Sequence, residues 1–164
     1  MTDEDYLKQS RATMKVIRDM EAALTAGSND MAKHFHEDFW WRGNQGCGTK
    51  RSLEEFCNNW QLPLRAAFTD RVYKTQKFLA DGEFASCFGY IDAVHSGEFM
   101  GIAATRKRVK IHYTDFWEVQ DGRIKDNWVT VDFPSILAQL GVDVFEGKGW
   151  ETYDRGEITP QKPA

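Results

Sequence analysis

The segment from His112 to Asp132 constrains this chain more than any other. It reads as two long β-strands joined by a tight turn at Asp121-Gly122. Both strands interleave large aromatics with Asp, Asn, Thr and Tyr. Such a face is too polar for a plain core and too aromatic for plain surface, so it suits the wall of a small-molecule pocket. Register decides which side chains can meet a ligand, because a slip of one residue turns a strand over. A two-residue turn pairs Gln120 with Arg123 and puts Asp115 on one face with Asp126, Trp128 and Thr130. A three-residue turn with a glycine bulge pairs Val119 with Arg123 and groups Asp115 with Asn127 and Val129.

The chain has 164 residues, 41% of them hydrophobic and 13% aromatic, which suffices for one domain with a real core. A net charge of −4 gives no electrostatic basis for binding nucleic acid or an anionic membrane. No apolar run approaches the roughly 20 residues that span a bilayer. The N-terminus, Met1-Thr2-Asp3-Glu4-Asp5, is acidic and does not read as a secretory signal. Cys47, Cys57 and Cys87 are an odd number at no metal-like spacing, which points to a reduced cytoplasmic protein.

Residues 4–26 carry a helical pattern through Tyr6, Met14, Ile17, Met20, Ala23 and Leu24. Gly27-Ser28-Asn29-Asp30 stops this helix and caps a short second one to about Phe35. Phe39-Trp40-Trp41 reads as a brief strand, and Gly43 to Gly48 as a flexible lip. Ser52-Leu53-Glu54-Glu55 forms a capping box for a helix to about Leu64. Strands are expected at 69–80, 84–95, 108–119 and 123–132, with a turn at Asp81-Gly82 and a loop from His95 to Arg106. Asp132 caps a last short helix to about Leu140, stopped by Gly141. Helices followed by a run of antiparallel strands give an α+β fold, a curved sheet with helices on its concave side. Residues 1–150 read as the single domain and 151–164 as a polar C-terminal tail.

Three segments carry a family resemblance. They are His36-Glu37-Asp38-Phe39-Trp40, the run His95-Ser96-Gly97-Glu98-Phe99-Met100-Gly101 with Ile102 to Thr105, and the stretch from Asp121-Gly122-Arg123-Ile124 through Asp132-Phe133 to Gln139-Leu140-Gly141. Over roughly residues 10–150 the chain resembles the SnoaL-like polyketide cyclases of the nuclear-transport-factor-two-like superfamily. The resemblance implies a cone-shaped α+β barrel and an intramolecular aldol closure by acid/base chemistry without metal or organic cofactor. It also implies a catalytic Asp on the last strand and a His on the strand before it. Counted from the Asp-Gly turn, that Asp position holds Val129 and that His position Asp115. The pocket Asn position falls near Trp41. The resemblance favours the three-residue turn, with Tyr113, Asp115, Trp117, Asn127, Val129 and Val131 facing inward.

Asp115 is the candidate acid/base, because a carboxylate walled in by Tyr113, Trp117 and Trp41 loses solvation and its pKa rises. The bland reading is a carboxylate satisfied by Tyr113 or a backbone amide. Asn127 and Tyr113 are the candidate holders of a substrate oxygen, or equally a partner of Asp115 and a packing tyrosine. Trp41, His95, Trp117, Val129 and Val131 are the candidate ligand contacts, although a solvated loop histidine is the plainer reading of His95. Trp40 should face away from Trp41. The pair His34/His36 lacks a convincing third metal ligand, so no metal is expected. Arg106-Lys107-Arg108 reads as a solvated turn.

Together these features predict cofactor-free cyclisation, isomerisation or dehydration of a small hydrophobic carbonyl compound. Epoxide hydrolysis ranks lower, since no Arg is placed on the inner face away from the turn. The alternative is a non-catalytic binding protein of the same fold, which Val129 at the family's Asp position favours. The outer face, with Phe116 and Trp128, implies a homodimer.

Overall fold

Residues 1–28 and 30–164 are described by a computed structural model. Six strands form one open, curved sheet in the order β2-β1-β6-β5-β4-β3. The strands are β1 (Phe35–Gly43), β2 (Thr49–Lys50), β3 (Phe68–Asp81), β4 (Phe84–His95), β5 (Arg108–Gln120) and β6 (Arg123–Val131). The four long strands lie within a residue or so of their predicted bounds. All neighbours are antiparallel except β1 and β6, which run parallel. The α+β class therefore holds, with one parallel pair that the strand pattern did not announce.

Helix α1 (Asp3–Thr25) starts on a Thr2/Asp5 capping box. It ends in a Schellman turn, with Ser28 N donating to Ala23 O, Gly27 N donating to Leu24 O, and Gly27 at φ +68°. Asn29, read as part of the stop and cap, lies outside the described residues. Ile17 and Met20 bury the apolar stripe of α1 against the sheet, and Thr13 Oγ1 ties the helix to Gly82 O at 2.7 Å.

The expected short helix from Asp30 to Phe35 is corrected. Residues 32–34 form a turn, and Phe35 opens a nine-residue strand. Phe35, Phe39 and Trp41 are buried there, and backbone pairing with β6 outweighs a helix too short to bury a face. The expected flexible lip is also corrected to a pinned turn. Gly43 N donates to Gly48 O at 3.0 Å, and the Asn44 side chain exchanges bonds of 3.1 and 2.9 Å with the Val131 backbone.

The next helical run extends three residues past the expected end. It comprises α2 (Leu53–Phe56), a π-helical stretch Cys57–Gln61, and α3 (Leu62–Ala67). Ser52 Oγ accepts from Glu55 N, while Glu55 reaches back to Arg51 N rather than Ser52 N. The π turn, closed by Leu62 N donating to Cys57 O, directly precedes Pro63, which has no N–H to give to a helix. Helix α4 (Phe133–Gln139) is capped by Asp132 Oδ1 accepting from Ser135 N at 3.0 Å, as read. A short helix α5 (Glu151–Asp154) lies in the C-terminal segment. No helix among the described residues is long and apolar enough to cross a membrane.

The hairpin turn differs from the expected one, yet the expected face is inward. Asp121 and Gly122 both have positive φ (49° and 74°), and Gln120 pairs with Arg123 across a two-residue turn. One step further, Val119 pairs with Ile124 but Glu118 pairs with Asp126, so Lys125 is a bulge. Past the bulge, Asp115 stands opposite Val129 and Trp117 opposite Asn127. Tyr113, Trp117, Asn127, Val129 and Val131 are buried on the inner face. Phe116 and Trp128 are 45% and 40% exposed on the outer one.

Candidate active site

The concave side encloses an apolar cavity between β1, β3–β6, α1 and the 53–67 helical run. Its volume is about 80 Å³, enough for several waters. Trp41 and Trp60 form one wall with ring centroids 4.5 Å apart. Trp60 also stacks on Phe133 at 6.2 Å, across which lies a second apolar hollow of about 250 Å³.

Of the candidate residues, Tyr113, Asp115, Trp117, Asn127, Val129, Val131 and Trp41 all line the cavity. Trp40 faces the other way and stacks under Arg42, which forms a bidentate pair with Asp126 at 2.9 and 2.8 Å. His95 does not belong to this wall, which corrects its reading as a ligand contact. It is completely buried at the end of β4, 5.6 Å from the Phe68 ring. Its Nδ1 accepts from Thr105 N at 3.2 Å and pairs with Thr105 Oγ1 at 3.0 Å. The ring thus braces the loop that its own backbone closes through Lys107 O and Arg106 N. His36 Nε2 bonds Gln120 O at 2.9 Å, away from the buried His34.

Asp115 is half-buried and faces the cavity. Asn127 Nδ2 donates to its Oδ1 at 3.1 Å, and also lies 3.3 and 3.4 Å from Phe116 O and Trp128 O. Burial among apolar groups pushes the Asp115 carboxyl up to about 7. The Asn127 bond works against that rise, and the nearby Glu21 charge adds to it. With its amide hydrogens directed to these acceptors, Asn127 orients Asp115 and is not free to hold a substrate oxygen through them.

A second polar group was not anticipated. Glu21 of α1 lines the same cavity, and burial pushes its carboxyl above the ordinary range. Thr75 Oγ1 donates to Glu21 Oε2 at 2.6 Å, and the Tyr113 hydroxyl lies 2.6 Å from the same Thr75 oxygen. Thr75 and Tyr113 belong to β3 and β5, with β4 between them, and Gly89 of β4 pairs with both. A Cβ at Gly89 would sit 3.0 Å from the Tyr113 hydroxyl and 2.7 Å from Thr75 Cα. Glycine therefore lets the two hydroxyls meet over the middle strand. A signal for Glu21 existed in the sequence: it shares the helical stripe of Ile17, Met20 and Leu24, where a charge has no business unless partnered. Gln61, Tyr73 and Cys87 also line the cavity, and burial raises the Tyr73 hydroxyl to about 12.

The geometry fits what comparisons with other proteins show. The family model described as SnoaL-like polyketide cyclase matches residues 15–140. No curated protein matches the chain by sequence. Among solved structures, IdmH from Streptomyces antibioticus, a candidate polyketide cyclase, superposes with a TM-score of 0.71 at 25% identity, over 79% of this chain and 99% of that one. AclR from Streptomyces galilaeus, a candidate hydroxylase, gives 0.70 at 22% identity, over 80% and 97%. TsrD from Streptomyces laurentii gives 0.67 at 18% identity, over 80% and 96%. The last two likenesses concern the fold alone. With the family model covering most of the sheet and the cavity-lining residues, the chain belongs to the SnoaL-like polyketide cyclase family.

Proposed function

We propose that the cavity carries out cofactor-independent acid/base chemistry on a small hydrophobic carbonyl compound, with Asp115 moving the proton. The observation that carries this reading is a carboxyl facing an apolar cavity with one oxygen held by Asn127, where burial pushes its pKa up toward the range useful for proton transfer. The carboxylate takes a proton from the carbon beside the carbonyl, and the electron pair moves onto the carbonyl oxygen as an enolate. Returning the proton at another atom gives isomerisation. Attack of the enolate carbon on a second carbonyl of the same molecule gives cyclisation, and loss of a neighbouring hydroxyl as water gives dehydration. Asn127 holds Oδ1 of Asp115 and leaves Oδ2 to carry the proton. Tyr113 is the hydroxyl placed to meet the enolate oxygen. Trp41, Trp117, Val129 and Val131 supply apolar contact.

Exchange of α-protons in hydrophobic ketones, followed by NMR in deuterated buffer, tests this. Asp115→Asn should slow enzymatic exchange by about 10²–10⁴-fold while the ketone still binds. Unchanged exchange in this variant would remove Asp115 from the mechanism. A specific observation supports a second reading: Val129 stands directly opposite Asp115, at the position where the resemblance puts the family's Asp, so the β5–β6 hairpin itself brings a single carboxylate to the cavity. On that reading the protein binds such compounds without turning them over, and the wild-type chain would show binding with no exchange.

The outer sheet face carries Phe84, Phe88, Phe116 and Trp128 as a partly exposed cluster, with Phe84 and Phe116 rings 5.5 Å apart. This face supports a homodimer. A monomeric mass by sedimentation at micromolar concentration would argue against it.

A further inference from the structure

The Glu21–Thr75–Tyr113 chain has a feature that neither carboxylate chemistry nor packing requires. Both ends line the cavity, while the middle hydroxyl contacts each of them at 2.6 Å. A hydroxyl has one hydrogen to give and two lone pairs to receive, so a line of two hydroxyls and a carboxyl has two self-consistent orientations. With Glu21 ionised, Thr75 donates to Oε2 at 2.6 Å and Tyr113 donates to Thr75, so the Tyr113 hydrogen is turned away from the cavity. With Glu21 protonated, its O–H donates to Thr75, Thr75 donates to Tyr113, and the Tyr113 hydrogen is free to point at a ligand. Both short contacts persist in either orientation, and only the hydrogens move.

We propose that Glu21 and Thr75 are positioning residues that set the direction of the Tyr113 hydroxyl and relay a proton through it to the oxygen of a bound carbonyl compound. This inference rests on the reading of the cavity as a carbonyl site and adds a second proton source to it. As an enolate oxygen takes the hydrogen of Tyr113, Tyr113 takes that of Thr75, and Thr75 takes that of Glu21. One O–H bond breaks and one forms at each hydroxyl, so the net change is one proton from Glu21 to the substrate oxygen. Asp115 gains the carbon-bound proton in the same event, and the two carboxyls exchange their protonation states. The reverse sequence resets both.

Several groups face this chain and enter its pH dependence. Arg18 lies on the same helix and favours the ionised form of Glu21. Asp115, Tyr113, Tyr73 and Cys87 feel the Glu21 charge from the sheet. Burial of Glu21 favours its protonated form, and the Thr75 bond opposes this.

The test reads a bound carbonyl rather than turnover. The infrared carbonyl stretch of 2-acetylnaphthalene, bound to the full chain, should shift to lower frequency as pH falls and Tyr113 turns to donate. Asp115→Asn serves as the background, so titration of Asp115 does not contribute. Thr75→Val uncouples Tyr113 from Glu21 and should abolish the pH dependence, whereas Thr75→Ser should restore it. Glu21→Gln, whose amide does not titrate, should remove the pH dependence of the stretch. A wild-type stretch that does not change with pH, or a change that survives Thr75→Val, overturns the relay. Loss of the Asp115→Asn exchange defect overturns the earlier reading instead, and the two results are separable because one reads carbon protons and the other a carbonyl bond.

Discussion

Asp115 and Glu21 face one cavity from different elements, and they are held in different ways. Asp115 stands on a strand with a neutral amide as its partner, and burial dominates its titration. Glu21 stands on α1 with a hydroxyl chain at one oxygen and Arg18 nearby, so burial is partly offset by two opposing influences. The contrast shows that a cavity does not assign a pKa by depth alone. The partner within hydrogen-bond reach decides whether a carboxyl is poised to move a proton or set to hold a hydroxyl in place.

The largest test of this difference is the stability of Asp115→Asn against pH. The folded-state pKa of about 7 lies above the ordinary value of 3.8, so the folded chain binds more protons than the unfolded one between those values. The stability that Asp115 contributes is then full below about pH 4 and lost as pH rises through 7. Replacing it with Asn should stabilise the fold by about 2–4 kcal/mol at pH 8.5, relative to its effect at pH 4, in urea unfolding. An Asn variant with a pH-independent effect would mean that Asp115 is not desolvated. Glu21→Gln should show the same sign with a smaller gain, because Thr75 and Arg18 already support the charge.

Asn127→Ala should cost about 1–3 kcal/mol, as the carboxyl and two backbone oxygens lose a donor. The same change should raise the Asp115 pKa further, read by carbon-13 NMR of its carboxyl. Gly89→Ala should cost a comparable ~1–3 kcal/mol through crowding at the Tyr113 hydroxyl and Thr75. It should leave the Asp115 titration nearly unmoved, which would separate the two polar clusters. The smallest effect belongs to Thr75→Val, about 1 kcal/mol from the lost hydroxyl bonds, with the Glu21 pKa moving upward.

The long strands, α1 and α4 were legible because each has a strong period and a chemical stop: Gly27, Asp81-Gly82, Asp121-Gly122 and Asp132. The cavity wall was legible because aromatic and polar residues alternate on β5 and β6. β1 was read too short because its pairing with β6 is parallel and distant in sequence, so no local turn announces it. His95 was misplaced because a polar residue at a strand end resembles a loop residue, and only the fold shows that Thr105 folds back over it. Glu21 was missed because its partner Thr75 lies 54 positions away, and the link on to Tyr113 crosses a middle strand that Gly89 leaves open.

The bulge at Lys125 gives the wall a reading frame. Ile124 points inward before it and Asn127 points inward after it, with Lys125 and Asp126 both set against Glu118. Deleting Lys125 would leave Asp126 alone opposite Glu118 and every later residue in phase with β5. Deleting a single residue between 127 and 130 would instead turn the remainder of β6 over and bring an outer side chain into the cavity. Evolution can therefore change the length of this strand at one place without touching the chemistry, and at its neighbours it cannot.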